Sequence, residues 1–290
     1  MCSTIHLTMK NRYILILLFL PFFFSCGEKA EDPAAALLEE ARKECEAGNF
    51  NNARMLLDSL SVAHPTAYKT RREAEIFRRE VMIKEKERDV LYFTSEIERL
   101  SACRDSLVSS FTFNKNSRYQ DTGYYTSPLQ PIASNAASTY LRASVNEDGT
   151  AFIVSFYRGR AIEHTTVKVS SNGYYAVCDK PYSSRSYREY GVYSERRDYK
   201  YGEDGGIMDF IAAGEAPFVV ELSGGSSSHT YTLRASDVEA IKAVAGLAVL
   251  LRDITRQRQL LSDAQISLEI LRRNSEISKQ NNTDIEDTEE

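Results

Sequence analysis

Hydrophobic positions change their spacing several times along the chain, and each change marks an element boundary. Tyr13 to Phe24 is an unbroken apolar run, too short for the roughly twenty residues that span a bilayer as a helix. From Pro33 the spacing becomes helical, with Asp32 as N-cap, Pro33 in the first turn and Gly48-Asn49 as the stop. A second helix is expected from Asn51 to Ala63, ending before Pro65. From Thr66 to Ser109 there is neither Pro nor Gly, and Ile76, Ile83, Val90 and Ile97 recur every seven residues. Phe93, Leu100 and Leu107 fill the companion row, which makes the a/d seam of a coiled coil. The alternating charges of Lys84 to Asp89 suit its solvated face.

Between residues 110 and 235 the period drops to two. Tyr140 to Val145 and Ala151 to Tyr157 flank the turn Asn146-Glu147-Asp148-Gly149 and predict a hairpin. Thr165 to Val169 and Tyr174 to Val177 flank Ser171-Asn172-Gly173 and predict a second. Ile207 to Ile211, Pro217 to Leu222 and Thr230 to Leu233 read as further strands, which implies a small β-sandwich or open barrel. Ser236-Asp237-Val238-Glu239 then spells a capping box, with Ser236 as N-cap. Val244, Leu247, Leu251, Ile254, Leu261, Leu268 and Leu271 restore the seven-residue pattern to about residue 279, with Arg258 and Gln265 interrupting one row.

The expected fold is therefore α+β. It has a helical hairpin at 33–65, a long helix at 66–109, an inserted antiparallel β-rich head at 110–235 and a second long helix at 236–279. The two long helices match in length, so they are expected to pair as antiparallel coiled-coil arms; a homo-oligomer pairing them across subunits is the competing arrangement. Residues 280–290 are polar and acidic and read as a disordered tail.

Composition narrows the function classes. The formal net charge of −5 lacks the basic surplus of a nucleic-acid binder. Trp is absent, and fourteen of the 17 Tyr lie within residues 110–235, where they can replace it as stacking residues. No P-loop, dinucleotide fingerprint, H-E-x-x-H or C-x-x-C occurs, and no cofactor or metal is expected. If Cys2 is removed and Cys26 is modified, Cys45, Cys103 and Cys178 remain. They are expected as buried free thiols.

Lys10 and Arg12 before the apolar run, and Ser25 after it, form a secretory signal over residues 1–25, with Met1 and Met9 both open as start. Its end, Phe23-Phe24-Ser25-Cys26, resembles the lipobox of bacterial lipoproteins, although that family prefers Leu and a small residue where Phe23 and Phe24 stand. The resemblance implies a lipid-bearing Cys26, a palmitate-type anchor and a bilayer partner. It also implies an envelope location, expected at the outer membrane, with the periplasmic or surface side left open. An ordinary cleaved secretory signal, or an uncleaved anchor, is the alternative. Residues 26–32, Cys26-Gly27-Glu28-Lys29-Ala30-Glu31-Asp32, are similar to the acidic export tag of some surface lipoproteins, and equally suit a solvated linker. Further on, Gly48, Phe50, Ala53, Leu57, Leu60 and Pro65 resemble the second half of a tetratricopeptide repeat, and Leu37 and Ala41 match its first half. One repeat cannot build a concave peptide-binding array.

The candidate chemistry is a cluster of Tyr182, Tyr187, Tyr190, Tyr193, Tyr199 and Tyr201 with Arg185, Arg188, Arg196 and Arg197, in a stretch read as loop-rich. Rigid aromatics interleaved with Arg suit a protein hot spot or an anionic glycan. Asp198, Glu203 and Asp204 lack the ligand alternation of a calcium loop and read as a turn. Gly224 to His229 reads as a flexible loop, and His164 and His229 are expected in strands. The resulting expectation is a non-catalytic lipoprotein whose head binds a protein or glycan. An assembly scaffold working through its coiled coil is the alternative. A hydrolase using His164 or His229 with a nearby Ser enters only if such a pair comes within hydrogen-bond reach.

Overall fold

The structure is a computed structural model that describes residues 32–116, 118, 121–131, 138–189, 191–225 and 227–286. The signal, Cys26, the acidic linker up to Glu31, Tyr190 and residues 287–290 lie outside the described residues. The chain divides into two compact units, Met1–Arg78 and Arg79–Glu290.

The first unit holds helix α1 (Pro33–Glu46), helix α2 (Phe50–Ala63) and the opening turns of α3 (Tyr68–Val108). Asp32 Oδ1 accepts from the Ala34 amide at 3.1 Å, the expected N-cap. Ala34, Leu38, Ala41 and Cys45 of α1 are buried, as are Phe50, Ala53, Leu57 and Leu60 of α2. These are one face of each helix at three- and four-residue spacing. Gly48 turns the chain between them at φ +79°. Arg42 stacks over the Phe77 ring at 4.7 Å, and Arg78 pairs with Asp58 at 2.7 Å, which fixes the start of α3 on the hairpin.

The second unit is α+β, with two antiparallel sheets of six and four strands, neither closed into a barrel. In chain order the strands are β1 (Thr112–Asn114), β2 (Tyr124–Thr126), β3 (Tyr140–Asn146), β4 (Ala151–Gly159), β5 (Thr166–Ser171) and β6 (Tyr174–Cys178). They continue with β7 (Ser183–Glu189), β8 (Val192–Lys200), helix α4 (Ile207–Ala213), β9 (Val219–Gly224), β10 (Ser227–Thr232) and helix α5 (Ala235–Glu286). The larger sheet has the order β1-β2-β3-β4-β8-β7 and the smaller β10-β9-β5-β6. Both predicted hairpins are present as β3–β4 and β5–β6. The second turns through Asn172 and Gly173, both at positive φ, the backbone that two-residue hairpins favour.

Both sheets, helix α4 and the start of helix α5 feed one apolar core. Leu141, Ile153 and Tyr199 enter from the larger sheet, Val167 and Leu222 from the smaller, and Ile211 from α4. Val238, Ile241, Val244, Leu247 and Leu251 of α5 join them, so the first turns of the expected second arm lie in the head's core. The β3–β4 turn rests on α5: Thr255 Oγ1 donates to the Asp148 carbonyl at 3.1 Å, and a side chain at Gly149 would collide with the Arg252 backbone. Beyond the head, Arg272 of α5 reaches Glu87 of α3 at 2.7 Å. Glu87 precedes the head by about as many residues as Arg272 follows Leu251, so the helices run side by side in opposite directions. Leu100, Ile254 and Leu268 are buried, whereas Ile76 and Leu107 of the expected seam are exposed.

Several expectations are corrected. Residues 207–211 are helical, because Asp204 caps α4 by accepting from the amides of Gly206 (3.3 Å) and Met208 (2.9 Å). Ser183–Glu189 and Val192–Lys200 form the hairpin β7–β8, and Ser227 to His229 lie in β10. His164 sits in the β4–β5 connection. Helix α5 starts at Ala235, ahead of Ser236; its first turn is fastened by Asp237, which accepts from Arg234 and from Gln130 Nε2 at 2.8 Å. It runs to Glu286, so the expected acidic tail is helical over its first residues. Cys45 and Cys178 are buried thiols, but Cys103 is exposed.

Candidate functional site

The strand register places the side chains of the larger sheet in rows. On the face turned away from the core, Ser183, Asp198, Val154 and Arg142 are successive partners across β7, β8, β4 and β3. The next row is Arg185, Arg196, Phe156 and Tyr140, and the one before it is Lys200, Phe152 and Ser144. Tyr140 and Phe156 stack at 5.1 Å and, with Val154, form a small apolar floor of their own. Alternation explains this: the odd residues of β4 belong to the core, so the even ones must be on this face.

A groove of about 410 Å³ lies over these rows. Arg142, Arg185, Arg196 and Asp198 bring charge to it; Tyr124, Phe152 and Tyr182 bring aromatic rings; Ser144, Asn146 and Ser183 bring neutral polar groups. Arg196 Nε donates to Asp198 Oδ1 at 2.9 Å, which neutralises one cation. Arg142 is 5% exposed, its Cζ lies 5.2 Å from the Tyr140 ring centre, and its Nε and Nη1 are buried with no hydrogen-bond partner.

Of the sequence candidates, Tyr182, Arg185 and Arg196 line this groove, and Tyr187 lies exposed further along the same face of β7. Arg188 and Tyr193 are partners on the other face, near the hairpin end. Arg197 and Tyr199 are not ligand-facing; both point inward and are buried. Arg197 donates to the carbonyls of His164 (2.7 Å), Arg185 (2.8 Å) and Arg196 (2.9 Å) and to Ser186 Oγ (3.2 Å). Tyr199 donates to the Thr165 carbonyl at 2.7 Å, and burial raises its phenol. Tyr201 donates to Asp209 beneath the Arg252 guanidinium. Tyr190 lies outside the described residues. Sequence reasoning passed over Arg142 and Phe152, although an Arg at an even position of an otherwise small and apolar strand is the signal that would have found it.

On the inner face the structure does bring a Ser and a His together. Ser155 Oγ lies 3.0 Å from His164 Nε2, and His164 Nδ1 lies 2.7 Å from Glu195 Oε2. The Glu195 carboxylate can only accept, so Nδ1 carries the proton and Nε2 accepts from Ser155. That is the order of a nucleophilic relay. Yet all three residues are 0% exposed. Ser155 sits mid-strand between β3 and β8, facing the core, and no acyl group can reach its Oγ. The amides that could serve an oxyanion are occupied, because Ile162, Glu163 and His164 all donate to Glu195 at 2.7 to 2.8 Å. Burial lowers His164, the Glu195 partnership opposing it, so the imidazole is neutral. Burial would raise Glu195, but its N–H donors outweigh that and hold the carboxyl below its ordinary range. The network clamps the β4–β5 connection, including Glu163 at φ +49°, onto β8. His229 stands apart, against the Tyr157 ring at 5.0 Å.

Among the described residues no cluster of His, Cys, Asp or Glu has the arrangement of a metal site. No helix among them is long and apolar enough to cross a membrane. Comparison with protein-family models, with curated proteins and with solved structures gives no match.

Proposed function

We propose that this chain is a non-catalytic, lipid-anchored envelope protein whose β-rich head binds a ligand in the groove on its larger sheet. The observation that carries the reading is the groove: cations and aromatic rings from five strands converge on a concavity outside the core. Its volume falls within the range of about 300–1,000 Å³ typical of ligand sites. The head has the two-layer character of a sandwich capped by α4 and α5, and the long helices act as an antiparallel coiled-coil stalk. The helical hairpin, with its tetratricopeptide-like spacing, lies in the chain between anchor and stalk. Cys26 would bear the lipid and place the protein in the bacterial envelope, at the outer membrane.

The experiment is incorporation of an alkyne-tagged fatty acid, read together with surface labelling of an epitope inserted at the exposed Asn172-Gly173 turn. Loss of both signals in Cys26→Ala is expected. Retention of the lipid tag in that variant would end the lipoprotein reading, and an epitope protected in intact cells would place the head on the inner side. A second reading makes the long helices the working surface of an envelope scaffold, because Ile266, Ile270 and Ile277 of α5 are about half exposed. Ile266→Glu and Ile270→Glu would then abolish assembly, including any homo-oligomer, while leaving the groove intact.

A further inference from the structure

We infer that the groove selects a carboxylate-bearing sugar, with the Arg142 guanidinium as the anchor for its carboxylate; this rests on the groove being the binding site. Arg142 is an energetic anomaly. It is 5% exposed, with Nε and Nη1 unpartnered. A buried donor left unpaired costs about 1–3 kcal/mol, and more when it is charged. A chain gains nothing from such a group unless something completes it. Arg142 is among the side chains that line the groove, and the complement of a guanidinium is a carboxylate or phosphate oxygen.

Three features separate the acidic sugar from other anions. Asp198 stands in the same groove, 16% exposed and paired with Arg196. Its charge opposes dense anions such as phosphate or a run of acidic side chains, while its second oxygen can accept from hydroxyls. Ser144 and Asn146 on β3 and Ser183 on β7 add neutral donors and acceptors on both sides of the groove, which suits the hydroxyls of a sugar. Phe152 and Tyr182, with ring centres 5.9 Å apart, offer apolar faces for the C–H side of a pyranose. At about 410 Å³ the groove fits a single terminal unit better than a protein surface.

The test is titration calorimetry of the purified full chain with glucuronate, N-acetylneuraminate, glucose, inorganic phosphate and a Glu-rich peptide. One of the two acidic sugars is expected to bind saturably, and the other three probes are not. Arg142→Met should weaken that binding about ten- to a hundredfold, the loss of one charge-assisted pair. It should not lower the urea midpoint, because an unpaired charge is replaced by an apolar chain of similar reach. Arg185→Gln, at an exposed position, should weaken binding severalfold in a fold that is not in question. Equal binding of phosphate or the peptide would overturn the sugar assignment. Equal binding of glucose, unmoved by Arg142→Met, would overturn the anchor while the groove reading survives. Acidic-sugar binding that ignores both Arg142→Met and Arg185→Gln would overturn the groove reading itself. Silence from both acidic sugars would overturn the inference.

Discussion

Glu195 is a glutamate on a β-strand whose inner face belongs to the core, a position that composition alone would never assign to a carboxylate. It is stable there because three backbone amides and one imidazole N–H converge on it, and Arg197 stands 3.8 Å away. Glu195→Gln removes the charge and turns an NH2 toward N–H donors. It should lower unfolding stability by about 3–5 kcal/mol, as breaking a buried charged network does. Ser155→Ala deletes one neutral donor and should cost only about 1 kcal/mol; urea denaturation separates the two. The same network fixes a pH dependence. His164 in the fold titrates below its ordinary 6.5, so the unfolded chain takes up that proton first. The network's contribution is complete above about pH 6.5 and declines as pH falls below it. Glu195, held below its ordinary 4.5, adds a second loss at more acidic pH. A midpoint that rose on acidification from pH 7 to 5 would contradict the neutral-imidazole assignment. None of this was legible in the sequence: Glu195 lies 31 residues beyond His164, and the β4–β8 register together with the fold of the β4–β5 connection brings the three side chains into contact.

The hairpin β7–β8 and helix α4 show why some elements were read and others missed. β3 and β4 were legible because a core face alternates with an outer face on both strands. β7 is an edge strand with almost no apolar residue in Ser183-Ser184-Arg185-Ser186-Tyr187-Arg188-Glu189, so its alternation carries no hydrophobic signal. Ile207-Met208-Asp209-Phe210-Ile211 is short enough to read either way; the deciding feature is Asp204 ahead of it, which supplies the cap. Asp204→Ala should cost about 1 kcal/mol, and it should lower helical ellipticity only slightly. Gly205→Ala should be far worse, since its φ is +63° and its new Cβ would fall on the Val177 carbonyl oxygen. Thermal denaturation of the two variants side by side reads the difference.

The seven-residue pattern announced both long helices, but it could not say that the second serves two purposes. Val244, Leu247 and Leu251 continue the same period as Leu261 and Leu268, yet the first three face β-strands and Leu268 lies near Val90 of α3. A period reports which face is buried and says nothing of what covers it. Truncation after residue 258 should therefore leave a head that unfolds cooperatively. Truncation after residue 234 removes one wall of the core and should leave no native near-ultraviolet dichroism.

Because α5 runs from the core of the head to Glu286 without a proline, the head and the outer turns of α5 share one beam roughly 80 Å long. A tug on a ligand seated in the groove would pass as torque into the contacts around Leu100, Ile254 and Leu268, with no slack linker to absorb it. The joint that slips first under load should then be the polar end of the helix pair near Glu87 and Arg272, and it should slip before any strand peels from the sheet.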